Sequence, residues 1–166
     1  TGNPWVGVGT AVLAGVATAW LHAEVTVRFR ADQITSGLGI NLLAAGLTRF
    51  VLVRVFHSSS NSPRVVGLPE WDLFGLSKLP AIGPLLGSPL VLLTAACVPL
   101  VWWLLFRSVF GLRLRSIGEN PEAAASLGLR VPRYRAQGVL ICGALASLAG
   151  AWLASEQHSF NDGMTG

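Results

Sequence analysis

The polar segment 107–135 carries the residues whose types and order suit a defined interaction. It holds six arginines and lies between two long apolar stretches. Inside it, the run Gly118 to Gly128 reads as one compact helix with its own start and stop. Asn120 is a good N-cap, Pro121 suits the first helical position, and Gly128 suits the left-handed position after the last turn. The segment therefore predicts a capped two-turn helix, suited to docking with a soluble partner.

Glu119 and Glu122 flank the start of this predicted helix. Carboxylates near a helix N-terminus complement the helix dipole, which is a sufficient structural reason for both residues. A charged contact with a partner protein is the alternative. The two interpretations are compatible, because a helix used for docking must first be stable.

Residue patterns for catalysis and metal binding are absent from the sequence. His22, His57 and His158 are scattered at the edges of apolar stretches, with no metal-ligand spacing. Neither a Gly-x-Ser-x-Gly elbow nor a phosphate-binding loop occurs. Cys97 and Cys142 lie within apolar runs, which is typical of small packing residues. We therefore predict no catalytic site, metal site or cofactor on this chain, and any ATPase would be a separate protein.

Two arginines and one asparagine within the second apolar stretch are candidates for a role in transport. Arg49 lies deeper than Arg54, which is close enough to the end to snorkel towards the headgroups. A charge at the depth of Arg49 is costly unless it faces protein or water, so snorkelling, an internal ion pair and a place on a substrate pathway all remain open. Asn41 suits either a hydrogen bond to a neighbouring helix or contact with a polar substrate.

The composition indicates an integral membrane protein. The chain has 166 residues, of which 52% are hydrophobic and 12% charged, about half the charged share of soluble domains. Apolar windows of roughly 20 residues predict four membrane spans, at 5–21, 36–56, 89–106 and 136–155. The last contains Gly143, Ser147 and Gly150 on one face, which favours close helix contacts. We expect a single all-α polytopic helix bundle over 1–166, as a piece of a longer protein.

The arginines predict the orientation of the chain. Arg28 and Arg30 join spans one and two, and six arginines lie in 107–135, whereas 57–88 holds only Arg64 and Lys78. Basic loops favour the cytoplasm. The segment 107–135 is therefore predicted to be cytoplasmic and 57–88 to be an outer loop. Because the arginines lie beside apolar runs, membrane orientation explains the basic charge, and we predict no binding of nucleic acid.

Nearly the whole chain resembles permeases of bacterial ABC importers, although the resemblance is weak in the segment 57–88. The similarity rests on Gly118-Glu119-Asn120-Pro121, Ala124 and Gly128, followed by Ser147-Leu148-Ala149-Gly150-Ala151. The run Ala31-Asp32-Gln33-Ile34-Thr35-Ser36-Gly37-Leu38, continuing to Asn41 and Leu42, looks like a segment of nucleoside permeases. The most similar group is the simple-sugar and nucleoside permeases, which are related to branched-chain amino-acid permeases.

The resemblance implies a multi-span subunit of the bacterial plasma membrane, paired with a second permease. Cytoplasmic ATP-binding subunits would bind ATP and Mg²⁺ and drive transport, and an external binding protein or lipoprotein would deliver substrate. The helix in 118–128 would match the coupling helix that contacts the ATPase. Nucleosides are the expected substrate. Simple sugars, branched-chain amino acids, or a non-transporting scaffold that recruits a cytoplasmic partner are the alternatives.

Overall fold

The computed structural model of the chain describes residues 4–56 and 89–157. All regular elements in these ranges are helical, which confirms the predicted all-α class. They are α1 (Pro4–Ala23), which continues into a π-helical turn (Glu24–Arg28), α2 (Gln33–Phe56), α3 (Pro89–Arg107), α4 (Val109–Glu119), α5 (Pro121–Ser126) and α6 (Val131–Glu156).

Four of these helices are long and apolar enough to cross a membrane. They are α1 with its π-helical turn, α2, α3 and α6, and they coincide with the four predicted spans. The helices extend beyond the apolar windows by up to seven residues, the largest extension being the π-helical turn that ends at Arg28. At α6 the added residues include Arg133 and Arg135, because a helix can continue past the apolar core once its side chains reach polar surroundings. The predicted outer loop, 57–88, lies outside the described residues.

Helices α1 and α6 form the closest contact of the bundle. A Cβ atom placed on Gly15 would overlap the Cβ of Ser147, and a Cβ placed on Gly143 would overlap that of Ala19. Gly15 faces Ser147 and the later Ala19 faces the earlier Gly143, so the two helices run antiparallel. Small residues spaced four apart let the backbones approach this closely. The small-residue face predicted for the last span is confirmed at Gly143, whereas a Cβ on Gly150 would meet nothing within 4 Å.

The connection from α1 to α2 is short and has its own backbone features. Arg30 adopts a left-handed conformation with φ of 54°. The Asp32 carboxylate then caps α2 by accepting from the Thr35 N–H at 2.9 Å and from the Thr35 hydroxyl at 3.2 Å. These hydrogen bonds favour the ionised carboxylate and lower the pKa of Asp32 below its ordinary value of 3.8. The cap explains why α2 begins at Gln33, before the predicted span.

Helices α2 and α3 present large apolar side chains outwards. Leu42 and Val98 are 75% and 70% exposed, for example, and no charged or polar side chain is buried in the described part of the chain. Such an inverted surface would be unfavourable in water, but it suits a protein whose solvent is the bilayer. These faces are available to lipid or to further helices.

Helix α4 is an element that the sequence analysis did not predict. The Ser108 hydroxyl caps it by accepting from the Gly111 N–H at 3.1 Å. Gly111 is packed so closely on the Leu104 and Leu105 carbonyls that a Cβ there would overlap both. The chain therefore turns sharply between α3 and α4, and the segment 107–135 contains two helices rather than one.

Candidate functional site

Helix α5 begins at the cap that the sequence predicted. The Asn120 side chain accepts hydrogen bonds from the Glu122 N–H at 3.1 Å and from the Ala123 N–H at 3.0 Å. Pro121 occupies the first helical position, where no N–H is needed and its fixed φ suits the helix. Two of the otherwise unpaired N–H groups of the first turn are thus satisfied. The N-cap prediction for Asn120 is confirmed.

The end of α5 is also locally determined. Gly128 has a φ of 81°, which is the left-handed region that strongly favours glycine. Its N–H donates to the Ala125 carbonyl at 2.9 Å, and the Leu129 N–H donates to the Ala124 carbonyl at 3.2 Å. This pair of bonds is a Schellman motif, which satisfies the last carbonyls of the helix. The predicted role of Gly128 in terminating the helix is confirmed.

The six predicted coupling residues differ in their exposure to solvent. Ala124 is only 3% exposed, so it holds α5 against the rest of the protein and is not available to a partner. Pro121 is half-buried, and the other four are exposed, namely Gly118, Glu119, Asn120 and Gly128. Leu127, which follows the last residue of α5, is an apolar side chain with 80% exposure. That α5 docks to an ATPase stays a prediction.

Helix α4 and the first turns of α6 hold the position of α5. The Arg113 guanidinium donates to the Tyr134 hydroxyl at 2.8 Å, and the rings of Phe110 and Tyr134 lie 5.8 Å apart. Ile117 of α4 is 2% exposed. These contacts tie α4 to α6 on either side of the short helix. Because a six-residue helix is unstable alone in water, this support and the two caps must maintain its shape.

A cavity of about 890 Å³ lies beside α5, and we call it the basal cavity. It is half-open and is lined by the end of α1 with its π-helical turn, by the connection to α2, by α5 and by the start of α6. Its polar lining includes Thr26, Arg30, Glu122 and Arg135. The two basic segments of the sequence therefore lie at the same end of the bundle, as predicted. That this end faces the cytoplasm stays a prediction.

A second cavity of about 570 Å³ lies between α1, α2 and α6, and we call it the inner cavity. It is open to the surface, since Cys142 and Ala146 in its lining are exposed. Its lining is mostly apolar and includes Ile40, Cys142 and Ala146, with hydroxyls from Thr18 and Ser147. Both hydroxyls donate to carbonyls of their own helices, at 2.9 Å to Gly15 and at 2.8 Å to Ala144.

The two predicted pathway residues lie elsewhere on α2. Asn41 and Arg49 are both exposed, and neither lines the inner or the basal cavity. The structure does not bring them to α5. Arg54 places its guanidinium 5.5 Å from the centre of the Phe50 ring. The pathway role of Asn41 and Arg49 stays a prediction.

His22 makes a contact between helices that the sequence did not predict. Its Nδ1 lies 3.0 Å from the Ser36 Oγ, which joins α1 to α2. His22 also lines both cavities. A separation of 14 residues across a turn matches no local motif, so only the fold reveals this pair. Within the described residues no group of three His, Cys, Asp or Glu side chains is placed to hold a metal ion.

Comparison with known proteins finds similarity to permease components of transport systems. A family model described as "Branched-chain amino acid transport system / permease component" matches residues 1–165. The chain is 40% identical over 152 residues to the nucleoside ABC transporter permease protein NupC of Lactococcus lactis subsp. cremoris, covering 90% of this chain and 48% of that protein. No solved structure matches the chain.

Two further relatives extend this similarity. The guanosine ABC transporter permease protein NupQ of Bacillus subtilis is 34% identical over 155 residues, covering 92% of this chain and 49% of the relative. The putative glucose ABC transporter permease protein TsgC13 of Haloferax volcanii is 34% identical over 159 residues, covering 92% and 47%. The chain thus spans about half the length of the curated relatives it matches.

Proposed function

This chain belongs to the family of branched-chain amino acid transport system permease components, and from that membership we propose that it forms part of the permease subunit of an ATP-driven nucleoside importer. Family membership and the four apolar helices make it a multi-pass protein of the inner membrane. The observation that carries the proposal is the similarity to relatives named as nucleoside and guanosine permeases over nine-tenths of the chain.

The same family membership supports the proposed division of labour. The relatives are named as permeases, which are not themselves enzymes. We propose that ATP and Mg²⁺ bind to separate cytoplasmic subunits, that a second permease completes the membrane pathway, and that an external binding protein delivers the nucleoside. Transport would then proceed by alternating access, with ATP binding and hydrolysis shifting the permease between two conformations.

Helix α5 is the proposed contact with the ATP-binding subunit. Its caps and buried Ala124 fix its shape, and its exposed residues form a small surface at the basic end of the bundle. The adjoining basal cavity is partly lined by Pro121, Glu122 and Ala125 of the same helix. A displacement of α5 would therefore change the shape of the basal cavity. In this way ATP hydrolysis on the partner subunit would be coupled to the substrate pathway.

The test uses the complete permease with its ATP-binding subunit and binding protein in proteoliposomes. We expect ATP-dependent uptake of labelled guanosine, reduced by excess unlabelled nucleoside and unaffected by glucose or leucine. Competition by glucose instead would favour a sugar importer, a candidate supported by the similarity to the glucose permease. Competition by leucine would favour branched-chain amino acids. ATP hydrolysis that no solute stimulates, with no uptake, would contradict transport and favour a scaffold.

A further inference from the structure

Helix α4 folds back beside the end of α3, at the expected depth of the lipid headgroups. Trp102 and Trp103, near the end of α3, are 55% and 58% exposed, and tryptophans favour the interface between acyl chains and headgroups. Gly111 of α4 lies against the Leu104 and Leu105 carbonyls, where a Cβ would overlap both. The first turn of α4 therefore lies at the level of these tryptophans.

The side of α4 that faces away from the protein is amphipathic, and we call it the outer stripe. It consists of Val109, Leu112 and Arg115, which are three residues apart and so lie on one side of the helix. All three are exposed, Val109 to 64% and Leu112 to 60%. The opposite side packs inwards through Ile117, which is 2% exposed. The outer stripe thus changes from apolar to basic along the helix, which suits a helix in the membrane interface.

Two arginines at the junction of α3 and α4 have no acidic partner. The Arg115 guanidinium lies 4.8 Å from the centre of the Phe106 ring, which holds it next to the last turn of α3, and Arg107 ends that turn. In the described part of the chain the only ion pair lies at the π-helical turn, so Glu119, one turn beyond Arg115, does not pair with it. Unpaired positive charge therefore lies beside exposed apolar side chains.

The composition of the outer stripe fits lipid better than another helix or a soluble subunit. Where α1 meets α6, the contact is made by small residues such as Gly15 and Gly143, which is typical of helix contacts in membranes. The outer stripe has large side chains and a guanidinium instead. A soluble subunit would have to enter the headgroup layer to reach it. Guanidinium groups bind phosphate through paired hydrogen bonds, and basic residues near the membrane surface attract anionic lipids.

We propose that the outer stripe binds an anionic phospholipid of the leaflet at the α5 end. Arg107 and Arg115 bind the headgroup phosphate, and Val109 and Leu112 contact the acyl chains. Asn120 ends α4 and caps α5, so a lipid bound to α4 steadies the start of α5. Lipid binding does not depend on transport, whereas this effect on α5 rests on the proposed coupling role.

The test maps lipid contacts on the complete permease in phosphatidylcholine nanodiscs. A small fraction of the lipid is phosphatidylglycerol with a photoreactive diazirine near its glycerol backbone, and cross-linked peptides are identified by mass spectrometry after illumination. We expect cross-links at Val109 and Leu112, suppressed by unlabelled phosphatidylglycerol but not by inorganic phosphate. An equally strong cross-link from a phosphatidylcholine probe would overturn the proposal, since the outer stripe would then select no headgroup.

Replacing the arginines should weaken lipid binding. We expect Arg115→Gln to raise the probe fraction needed for half-maximal cross-linking about fivefold, the factor given by one arginine near an anionic surface. Arg107→Gln should act similarly, and the double variant should bind more weakly than either. Arg115→Lys should lose less than Arg115→Gln, because it keeps the charge but not the paired hydrogen bonds.

Arg54→Gln is the matched control, since the Arg54 guanidinium also lies over a phenylalanine ring, that of Phe50, at the opposite end of α2 from the basal cavity. Its cross-linking on α4 should equal that of the wild type. An unchanged half-maximal fraction in both Arg107→Gln and Arg115→Gln would overturn the headgroup contact. A wild-type permease with no cross-link on α4 would show that protein covers the outer stripe, which would also overturn the proposal. Because the probe is not a transported solute, an absence of guanosine uptake with the expected cross-links would contradict only the proposed nucleoside function.

Discussion

The contact between α1 and α6 and the caps of α5 are built on opposite physical principles. At Gly15 and Gly143 the close contact depends on glycine having no side chain, because any Cβ there would overlap the facing helix. At Asn120 and Gly128 it depends on hydrogen bonds that complete the ends of a short helix. The first region should therefore be sensitive to added volume and the second to lost polar groups or altered backbone conformation. The predictions below test this distinction.

The largest effect is expected for Gly143→Leu. The new side chain would meet the Ala19 Cβ and the Gly15 carbonyl oxygen, and backbone atoms cannot move aside as a flexible side chain can. We expect a destabilisation of roughly 3 kcal/mol, seen as a lower melting temperature and yield of the complete permease in detergent. The control is Gly150→Leu, whose Cβ has open space. Equal losses in both variants would show that the α1–α6 contact is not selectively sensitive to volume.

A smaller and more local effect is expected for Gly128→Val. A β-branched residue is disfavoured at a φ of 81°, and the left-handed conformation costs about 1–2 kcal/mol for residues other than glycine. We expect the permease to insert at normal levels while solute-stimulated ATP hydrolysis of the complete transporter falls. Gly46→Val is the control, since its Cβ would meet nothing within 4 Å and its φ is not left-handed. Normal coupled uptake in the Gly128 variant would show that α5 is only a connector.

Asn120→Ala should have a milder effect on the same helix. Loss of the N-cap costs about 1 kcal/mol, because the N–H groups of Glu122 and Ala123 lose their acceptor. Hydrogen exchange of these two amides should become faster, while exchange at the α1–α6 contact should not change. Asn120→Ser, which retains a capping oxygen, should exchange almost as slowly as the wild type. Fast exchange in both variants would argue that the cap is not what orders α5.

The smallest effect is expected for the cap of α2 at low pH. The pKa of Asp32 is lowered because its ionised carboxylate accepts hydrogen bonds from Thr35. The resulting stabilisation is fully present above the ordinary pKa of 3.8 and is lost as the pH falls below it through the lowered value. Exchange of the Thr35 amide, corrected for its intrinsic pH dependence, should therefore accelerate in that window. In Asp32→Asn this change should disappear, and its persistence would assign it to another group.

The parts of the fold that depend on neighbouring residues were predictable from the sequence. The caps at Asn120 and Gly128 are formed by hydrogen bonds that span two to five residues, so the local order of side chains is sufficient to predict them. The four spans follow from long apolar runs, for which the bilayer imposes a length. Helix α4 was missed because arginines interrupt its apolar residues, although Ser108 followed by Val109 and Phe110 is a usable start signal.

The parts that depend on distant residues were not predictable. The small-residue pattern of α6 indicated a close contact but not its partner, and it did not distinguish Gly143, which meets α1, from Gly150, which does not. The His22–Ser36 bond joins two helices across a turn whose path is set by the π-helical segment. The roles of Asn41 and Arg49 depend on what lies against α2, and they stay predictions.

The pairing of Gly15 with Gly143 also has a consequence for biosynthesis. A ribosome adds about 5 to 20 residues per second, so the roughly 130 residues between these glycines take on the order of ten seconds to translate. Throughout that interval the grooved face of α1 resides in the lipid without its partner. The nascent chain must therefore tolerate a membrane-inserted helix whose contact surface is incomplete. A translational pause between α1 and α6 would prolong that state, and it would lengthen the time during which α1 is open to incorrect pairing.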